Sequence, residues 1–549
     1  MLMRSADITR LLNPKPMPYS HFQEVKRSIV NRIDQQDGDI AKLLEEYGDT
    51  PFYFEPEDAK GFMPSIMDVA RLYVLINYLL YADKEHFPTR EYYKKFLNDE
   101  TDEVKQYIRW AISRGEKEPD SLLQNIEVDV VLGSVYKIKK FFLENNRIKD
   151  IRGASALIKH MSEDETLKYF SNNSFIPECV IYCGGGNVLA FVPAGKGETV
   201  CQELEKKYAE ISLTARHAFE YISSSLNDLV KNYNEKMKEL NKKLEERKKT
   251  KIYPINPDSM FKSITIDQQE ISFKDIKAIN NKNAVCELCA VRDAKYRVPS
   301  PEGDILACPS CMRKNVVGSK KTIFYDEYQQ FIGKEPERGV SSISDIRDGN
   351  GQVAVIYADG NNMGNIVMSI DSPFEHMYFS RRLDYVTKSS VYHAIHKVMG
   401  DRAKFEAIAL GGDDVFIIVP GDTSLEITYE IIDAFDKDFD GLISMSAGIC
   451  IAKHTTPIQS MLGVAQAKMK SAKELVRSKE LKEGTVDIEM IQSNINLDLN
   501  SKKFSLFPAG SSRLAKFIEV IKEMKGSGQI KRSQLYKLSN GYEKMKKIP

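Results

Sequence analysis

Apolar runs that end in glycine or acidic residues mark the second half of the chain. Residues 353–358 form one such run, which is followed by Asp359 and a glycine. Apolar residues also flank the sequence Gly-Gly-Asp-Asp at 411–414. Continuous apolar runs of this length, rich in β-branched residues and bounded by glycine, predict buried strands. The pattern therefore predicts a strand that ends at Asp359 and a hairpin whose turn carries Asp413 and Asp414.

A similar pattern occurs upstream. The apolar residues at 179–183 lead into Gly-Gly-Gly-Asn at 184–187, and a second apolar run follows. Residues 185–188 align with residues 412–415 of the downstream hairpin, or with a register one residue away. We interpret the two segments as a diverged internal duplication of one α/β unit, of which only the downstream copy keeps its acidic residues. A chance likeness between two glycine-rich hairpins is the alternative interpretation.

Helical spacing of apolar residues predominates outside these two units. Residues 68–80 and 104–112 show it, and residues 231–251 form a charge-dense helical pattern. The chain is therefore predicted to be a multidomain α+β protein. Its predicted regions are a helical N-terminal region (1–125), a first α/β unit (126–230), a charged helical connector with a cysteine module (231–344), a second α/β unit (345–495) and a C-terminal helical region (496–549).

Composition and charge narrow the class of protein. The chain has 549 residues, of which 42% are hydrophobic and 28% are charged, as in soluble globular proteins. Its 78 basic and 78 acidic residues balance, so a contact with nucleic acid requires a local basic patch. No apolar run reaches the roughly 18–20 residues that span a membrane, and the N-terminus lacks a secretory pattern. We expect a cytoplasmic protein with no membrane partner.

Four of the eight cysteines form two Cys-x-x-Cys pairs. Cys286 pairs with Cys289 and Cys308 with Cys311, and eighteen residues separate the two pairs. Four thiolates at this spacing fit the tetrahedral coordination of Zn²⁺. Because four sulfur ligands leave no open position, we expect a structural zinc site in the module at 286–311. A contact with nucleic acid or with a partner is the alternative role.

The acidic residues at the predicted strand end and hairpin suit divalent metal ions. Carboxylate oxygens are the ligands that Mg²⁺ prefers, and two-metal nucleotidyl transfer needs carboxylates that converge on one site. Asp359, Asp413 and Asp414 are therefore the candidate catalytic and metal-binding residues. A Gly-Gly-Asp-Asp hairpin by itself is often a surface turn, but its combination with Asp359 and with a lysine-bearing helix at 465–473 favours a metal–nucleotide site.

The helix at 465–473 ends in Lys473. Nucleotide cyclases of the palm fold carry a phosphate-binding lysine at the corresponding place, so the second α/β unit resembles the palm/cyclase family, which includes diguanylate cyclases and class III adenylyl cyclases. Gln466, Lys468 and Lys470 depart from the helix pattern of that family. A solvated helix residue is the alternative interpretation of Lys473.

The layout of the whole chain is similar to that of the large, palm-containing subunit of type III CRISPR–Cas effector complexes. The similarity rests on Asp-Gly-Asn-Asn-Met-Gly at 359–364, the Gly-Gly-Asp-Asp hairpin, the four-cysteine module between two α/β units, and residues 149–158 and 184–187 of the first unit. It extends from about residue 126 to the end of the chain. The resemblance implies two ferredoxin-like palm domains, a degenerate first palm and a catalytic second palm, with a zinc module between them.

Many members of this family also carry an N-terminal HD nuclease domain. Residues 1–125 contain no adjacent His-Asp pair, and His21 and His86 lie far apart in the sequence. We therefore expect this chain to lack the HD nuclease domain, and we do not expect it to cleave DNA.

The resemblance implies an ATP-dependent nucleotidyltransferase. Its product is an adenylate second messenger, typically a cyclic oligoadenylate, and target RNA switches on the synthesis within an antiviral complex. The implied partners are the other subunits of the ribonucleoprotein, guide RNA, target RNA and ATP. The implied cofactors are two Mg²⁺ or Mn²⁺ ions at Asp359, Asp413 and Asp414, and a structural Zn²⁺.

The resemblance also implies two nucleotide sites. The first palm, which has no acidic residues at the matching turn, is expected to bind an acceptor nucleotide near Ser134, whereas the second palm binds the reacting triphosphate. The implied nucleotide-binding residues are Gly360, Asn361, Asn362, Met363, Gly364, Gly411, Gly412, Lys473, Ser134, Gly185 and Gly186.

Two other functions compete with this one. The chain would be a standalone palm-domain signalling cyclase, or an enzyme that joins AMP to another small acceptor, if it made product without RNA. It would be a non-catalytic RNA-binding scaffold if its palms only held RNA and neighbouring subunits. Three clustered carboxylates argue against the scaffold, because like charges held close together destabilise one another unless cations are bound.

Overall fold

The computed structural model describes residues 127–526, apart from 492–505 and short gaps at 174, 176–178, 226–227, 230–231, 252–261, 267–268, 274–275, 280–283, 301–302, 321–322, 335–338, 369, 371–372, 402 and 440–442. The predicted helical N-terminal region, including His21 and His86, lies outside the described residues, as does part of the C-terminal region. No helix among the described residues is long and apolar enough to cross a membrane.

The first α/β unit is built on a four-stranded antiparallel sheet. Its strands are β1 (Glu127–Tyr136), β2 (Val180–Gly184), β3 (Asn187–Pro193) and β4 (Arg216–Ser225), and their order in the sheet is β2-β3-β1-β4. Its helices are α1 (Ile138–Phe142), α2 (Ile148–Lys159), α3 (Thr166–Asn172), α4 (Gly197–Ser212) and α5 (Tyr233–Thr250), and a π-helical turn (His160–Glu165) joins α2 to α3.

The charged helix α5 belongs to this first unit. Tyr233, Met237, Leu240 and Leu244 are its buried residues, and their helical spacing forms one apolar face. That face packs on β4 and β1. The sequence placed this helix in a connector because its charge density conceals the narrow apolar stripe.

A small cysteine-containing region follows. It contains a two-stranded sheet of β5 (Ile264–Ile266) and β6 (Gln269–Ile271), and a three-stranded sheet of β7 (Lys277–Ala278), β8 (Tyr296–Val298) and β9 (Ile305–Ala307). Two helices, α6 (Pro309–Lys320) and α7 (Ile323–Phe331), complete it.

The second α/β unit has a six-stranded sheet in the order β11-β12-β10-β13-β14-β15. Its strands are β10 (Gln352–Gly360), β11 (Glu406–Gly411), β12 (Asp414–Pro420), β13 (Met445–Lys453), β14 (Thr485–Met490) and β15 (Ala509–Gly510). Its helices are α8 (Met363–Met368), α9 (Pro373–Met399), α10 (Ser424–Asp438), α11 (Ile458–Lys479) and α12 (Ser511–Gly526).

The first four strands of the two units have the same topology. Each sheet arises from the order strand-helix-strand-strand-helix-strand, which is the ferredoxin-like arrangement. Two-residue turns close equivalent hairpins, because Gly184 pairs with Asn187 and Gly411 pairs with Asp414. The hairpins therefore align residue by residue in the register that the sequence pattern predicts.

The two units and the cysteine region pack on one another through α2. On one side α2 crosses α6, where a Cβ atom added to Gly153 would lie 1.8 Å from the carbonyl oxygen of Lys314. On the other side Arg152 forms a buried ion pair with Glu406 of β11. In return, α9 of the second unit packs on β2 of the first. Each unit thus places a helix against the edge strand of the other.

Candidate active site

Asp359 lies near the end of β10, in the middle of the second sheet. The ladder with β13 continues through Asp359 to Gly360, so backbone pairing fixes the position of the carboxylate. Lys473 of α11 donates hydrogen bonds to Asp359 Oδ2 and to the carbonyl oxygen of Gly360, both at 2.6 Å. The predicted lysine of the helix at 465–473 therefore lies directly against the predicted strand-end acid.

Asp413 occupies the turn between β11 and β12. The preceding residue, Gly412, has φ +57°, a left-handed conformation that favours glycine. Asp413 lies beside the end of β10, because a Cβ atom added to Gly360 would be 3.0 Å from the Cβ atom of Asp413. Burial, the interaction with the carboxyl group of Asp359 and the charge of Asp414 raise the pKa of Asp413 to about 8.

Asp414 opens β12 and turns towards a tyrosine. Tyr357 of β10 is 2% exposed, and its hydroxyl donates a hydrogen bond to Asp414 Oδ1. Burial raises the pKa of Asp414, and the hydrogen bond from Tyr357 opposes that rise. The structure thus brings all three predicted acids together, but it separates their environments: Asp359 contacts Asp413, whereas Asp414 contacts Tyr357.

This donor set fits hard divalent cations. Two carboxyl groups in contact in a partly buried site repel each other when both are ionised, and a cation relieves that repulsion. The contact between Asp359 and Asp413 makes this pair the central candidate for the metal ligands. The ligand atoms of the three aspartates lie farther apart than those of the four cysteines. Among the described residues, the cysteines are the one group of three or more possible metal ligands whose ligand atoms all lie within 4.8 Å of one another.

The loop after β10 is held by a buried polar network. Asn361 is 7% exposed, its backbone N–H donates to the carbonyl oxygen of Ser444, and its side chain bonds Ser444 and Ser446. Thr485 extends the network by its hydrogen bond with Ser446. Asn361 therefore holds the loop in place, because its backbone N–H and its side chain both have partners within the fold. Its predicted role as a phosphate donor stays a prediction.

Helix α9 holds the Gly-Gly-Asp-Asp turn from the other side. Thr387 is buried and donates a hydrogen bond of 2.6 Å to the carbonyl oxygen of Gly412. Asp384 accepts the N–H of Gly412 at 3.3 Å. Both peptide groups of Gly412 are thus bonded to α9, so this helix fixes the turn that carries Asp413.

The predicted acceptor residues also lie together. Ser134 pairs with Asn187 across β1 and β3, next to the turn formed by Gly185 and Gly186. In the shared topology, Ser134, Gly186 and Asn187 take the positions of Asp359, Asp413 and Asp414. The first sheet therefore has no carboxylate at any of the three equivalent positions.

Tyr182 of β2 lies at the glycine turn of the first unit, where its hydroxyl donates a hydrogen bond of 2.9 Å to the carbonyl oxygen of Gly184. Burial raises its pKa well above the ordinary value, and the charges of Asp384 and Asp413 in the second unit add to the rise. Helix α9, which carries Asp384, packs on β2.

The four cysteines form a compact cluster whose ligand atoms all lie within 4.8 Å of one another. Asn145 and Arg292 donate to the sulfur atoms of Cys311 and Cys308, both at 3.3 Å. Arg292 also forms two hydrogen bonds of 2.8 Å with Glu144 of the first unit. Four thiolates with N–H donors around them fit a structural Zn²⁺ ion.

Sequence reasoning missed the residues that support the acids. Tyr357, Thr387 and Asp384 lie inside ordinary strand and helix patterns, so no motif distinguishes them. Lys139 lies 218 residues from Tyr357 in the chain and donates a hydrogen bond to its hydroxyl. The contacts of Tyr357, Thr387 and Asp384 arise from packing within the second unit, and that of Lys139 arises from the packing of the two units on each other.

A comparison with known families matches the second α/β unit. A model of the second palm domain of Cas10/Cmr2 matches residues 352–481, the segment from β10 to α11 that carries the three acids and Lys473. The matched segment is therefore a palm domain of the Cas10/Cmr2 type. The chain thus has the predicted mixed α/β fold, with a palm domain and a four-cysteine cluster.

Two curated relatives are subtype III-A proteins named CRISPR system single-strand-specific deoxyribonuclease Cas10/Csm1. That of Enterococcus italicus is 22% identical over 419 residues, which cover 67% of this chain and 53% of the relative. That of Thermococcus onnurineus is 24% identical over 165 residues, which cover 27% of this chain and 21% of the relative. At its widest, the match therefore spans about half of the relative's length.

Solved structures of Csm1-Csm4 cassettes are also similar to this chain. The apo cassette and the cassette in complex with cA4 each align with a TM-score of 0.48 and 17% identity, and the alignment covers 72% of this chain and 58% of theirs.

Proposed function

We propose that this chain transfers adenylyl groups from ATP and makes a cyclic oligoadenylate within a type III CRISPR complex. The observation that carries the proposal is the contact between Asp359 and Asp413, next to Lys473, inside the segment that matches the Cas10/Cmr2 second palm. Strand β10 and the β11–β12 turn supply these acids, as two-metal nucleotidyl transfer requires.

Asp359 and Asp413 are the residues that would hold a pair of Mg²⁺ or Mn²⁺ ions. When bound, such ions activate a ribose hydroxyl as the nucleophile and neutralise the leaving pyrophosphate. Asp414 accepts a hydrogen bond from Tyr357. We therefore propose that it adds negative charge next to the metal ligands.

Lys473 is proposed to bind the triphosphate. It now bonds Asp359 and the carbonyl oxygen of Gly360, and a lysine ammonium is a mobile point charge that can bind a phosphate oxygen instead. Gly411 and Gly412 leave room for the nucleotide at the turn, and the backbone of residues 362–364 is proposed to line the phosphate pocket. Asn361 holds this loop in place.

The first unit is proposed to be a degenerate palm that binds the acceptor nucleotide. Ser134, Gly185 and Gly186 lie at the end of its sheet without a carboxylate among the equivalent positions, so this turn can bind a nucleotide but cannot hold metal ions in the same way. We propose a structural role for the zinc module between the two palms, because its four thiolates would leave no open coordination position.

The RNA and subunit partners of this chain are part of the same proposal. Guide and target RNA would activate synthesis, and other subunits of the ribonucleoprotein would hold the chain. The curated relatives carry a deoxyribonuclease name. We do not propose that activity for this chain, whose residues 1–126 lie outside the described part of the structure.

The test is to incubate the full chain with ATP and Mn²⁺, with and without its guide–target RNA complex, and to identify the products by mass spectrometry. We expect cyclic oligoadenylate that depends on RNA and disappears in the Asp359→Asn and Asp413→Asn variants. Asp422→Asn removes an exposed carboxylate just after β12 and is the matched control, which should keep wild-type activity. RNA-independent product would favour a standalone cyclase, and RNA binding without product a scaffold.

A further inference from the structure

Lys139 reaches from the first unit into the acidic site of the second. It lies on the short helix α1 that follows β1, and its ammonium donates a hydrogen bond to the hydroxyl of Tyr357. The same ammonium lies 4.4 Å from the centre of the Tyr357 ring, which adds a cation–π contact. Lys139 lies outside the sequence motifs named above, and no step of the proposed mechanism uses it.

The hydrogen bonds run in one direction. Burial and the charge of Asp414 raise the pKa of Tyr357, so the phenol keeps its proton. A phenol has one proton to donate, and Tyr357 donates it to Asp414 Oδ1. Its oxygen can then only accept, and Lys139 is the donor that it accepts from. The result is a chain in which Lys139 donates to Tyr357 and Tyr357 donates to Asp414.

This series of hydrogen bonds from Lys139 through Tyr357 holds Asp414 apart from the other two acids. Asp359 and Asp413 interact with each other, whereas Asp414 accepts a hydrogen bond from Tyr357. Two cations flank the cluster, Lys473 from α11 of the second unit and Lys139 from the first, and both favour the charged form of Asp414. The first unit therefore supplies one of the two positive charges that balance the acidic site.

We propose that Lys139 is a positioning residue of the nucleotidyl-transfer site, which acts through Tyr357 to fix Asp414. This inference deepens the proposed function and rests on it. It also means that the second unit does not complete its own site: the orientation of Asp414 depends on how the first unit is docked. A positioning effect of this kind changes the rate of the chemical step more than the affinity for ATP.

The test uses four variants of the full chain. Lys139→Met removes the cation, and Lys139→Arg keeps it. Tyr357→Phe removes the hydroxyl that links Lys139 to Asp414. The fourth variant combines Lys139→Met with Tyr357→Phe. The matched control is Lys140→Met, because Lys140 is the next residue on α1 and is also exposed. Both lysines are exposed, so neither substitution is expected to unfold the protein.

We expect Lys139→Met to lower kcat for ATP about tenfold with little change in KM, since tenfold corresponds to one lost hydrogen-bonded contact in the transition state. Lys139→Arg should restore most of the rate, and Lys140→Met should match the wild type. The double variant should be no slower than Tyr357→Phe alone, because both substitutions break the same series of hydrogen bonds. A wild-type kcat in Lys139→Met, or additive losses in the double variant, would overturn the proposal.

Mn²⁺ binding without nucleotide separates this inference from the proposed function. Removing a nearby positive charge should tighten Mn²⁺ binding to the acids by about two- to fivefold in Lys139→Met, but not in Lys140→Met or Lys139→Arg. Titration followed by electron paramagnetic resonance measures it. If the wild type makes no product, the proposed function fails, and the Mn²⁺ titration alone decides whether Lys139 acts on the cluster: unchanged affinity would refute it.

Discussion

Three residue positions give the two sheets their different chemistry. Asp359, Asp413 and Asp414 on the second sheet correspond to Ser134, Gly186 and Asn187 on the first. The backbone pairing around them is the same. The carboxylates at these positions make the hairpin of the second sheet a candidate metal site. The hairpin of the first sheet has only neutral groups at the equivalent positions.

At the scale of single residues, we expect Asp413→Asn to increase the stability of the metal-free protein and to abolish its stabilisation by Mn²⁺. Without metal at pH 7.5, the variant should raise the free energy of unfolding by on the order of 1 kcal/mol, because it removes one of two carboxyl groups that crowd each other. Mn²⁺ should raise the melting temperature of the wild type but not of Asp413→Asn. Thermal unfolding with EDTA and then with Mn²⁺ measures both effects. A variant still stabilised by Mn²⁺ would contradict the assignment of Asp413.

The acids and cysteines were predictable from the sequence, and their supports were not. Asp359 and the hairpin acids interrupt apolar runs, which marks them as unusual, and the two Cys-x-x-Cys pairs have a spacing with a chemical meaning. Thr387 and Lys139 carry no such mark. Their roles depend on contacts between segments far apart in the chain, which periodicity along the sequence cannot report.

Helix α9 links the acidic turn to the rest of the molecule at the scale of elements. Below the turn, Asp384 forms an ion pair of 3.1 Å with Lys388 of the same helix. Glu327 of α7 lies 3.9 Å from Lys388 and 2.6 Å from Lys159 at the end of α2. These alternating charges join three helices near the Gly-Gly-Asp-Asp turn, one from each unit and one from the cysteine region.

The hydroxyl of Thr387 gives a direct test of this support. Thr387→Val keeps the shape of the side chain but leaves the carbonyl oxygen of Gly412 without its donor. We expect a loss of about 1–3 kcal/mol in stability, and a loss of about tenfold in kcat as the turn shifts. Thr387→Ser, which keeps the hydroxyl, should restore the rate. Full activity in Thr387→Val at unchanged stability would show that the turn does not need this bond.

The ion cluster predicts a pH dependence. Burial raises the pKa of Glu327, but the charges of Lys159 and Lys388 outweigh it and lower that pKa from 4.5 to about 2. Because the pKa is lowered on folding, the ionised carboxylate stabilises the protein above about pH 4.5, and the stabilisation is lost as the pH falls towards 2.

Glu327→Gln isolates this contribution from the other carboxylates. The variant should be roughly 3 kcal/mol less stable than the wild type at pH 7, since it leaves two lysines without their shared partner. The difference should shrink between pH 4.5 and 2. Chemical denaturation of both proteins across this range measures it, and a difference that is constant with pH would contradict the assigned pKa.

Gly153 tests the crossing of α2 and α6, and Gly463 on α11 is the control. A methyl group at Gly153 would meet the backbone of α6 at 1.8 Å, so we expect Gly153→Ala to destabilise the protein by about 3 kcal/mol. Gly463 on α11 has nothing within 4 Å of an added Cβ atom, and Gly463→Ala should stabilise by up to about 1 kcal/mol. Equal effects of the two substitutions on thermal unfolding would contradict this packing.

At the scale of the whole molecule, the candidate site is assembled from both units. The helix α2 joins the cysteine region to β11, the helix α9 joins β2 to the acidic turn, and Lys139 joins α1 to Tyr357. Glu144 ties the cysteine cluster to the first unit through Arg292 and Lys314. The sequence predicted the succession of these regions. It could not predict that their docking builds the surroundings of the acids.

The central claim is that Asp359 and Asp413 hold metal ions against a nucleoside triphosphate. A crystal structure of the full chain with Mn²⁺ and a non-hydrolysable ATP analogue, analysed by anomalous diffraction, tests it most directly. We expect two Mn²⁺ peaks about 4 Å apart, both bonded to Asp359 or Asp413 and to the phosphates. Manganese and nucleotide bound elsewhere, with these carboxylates still bonded only to each other and to Lys473, would contradict it.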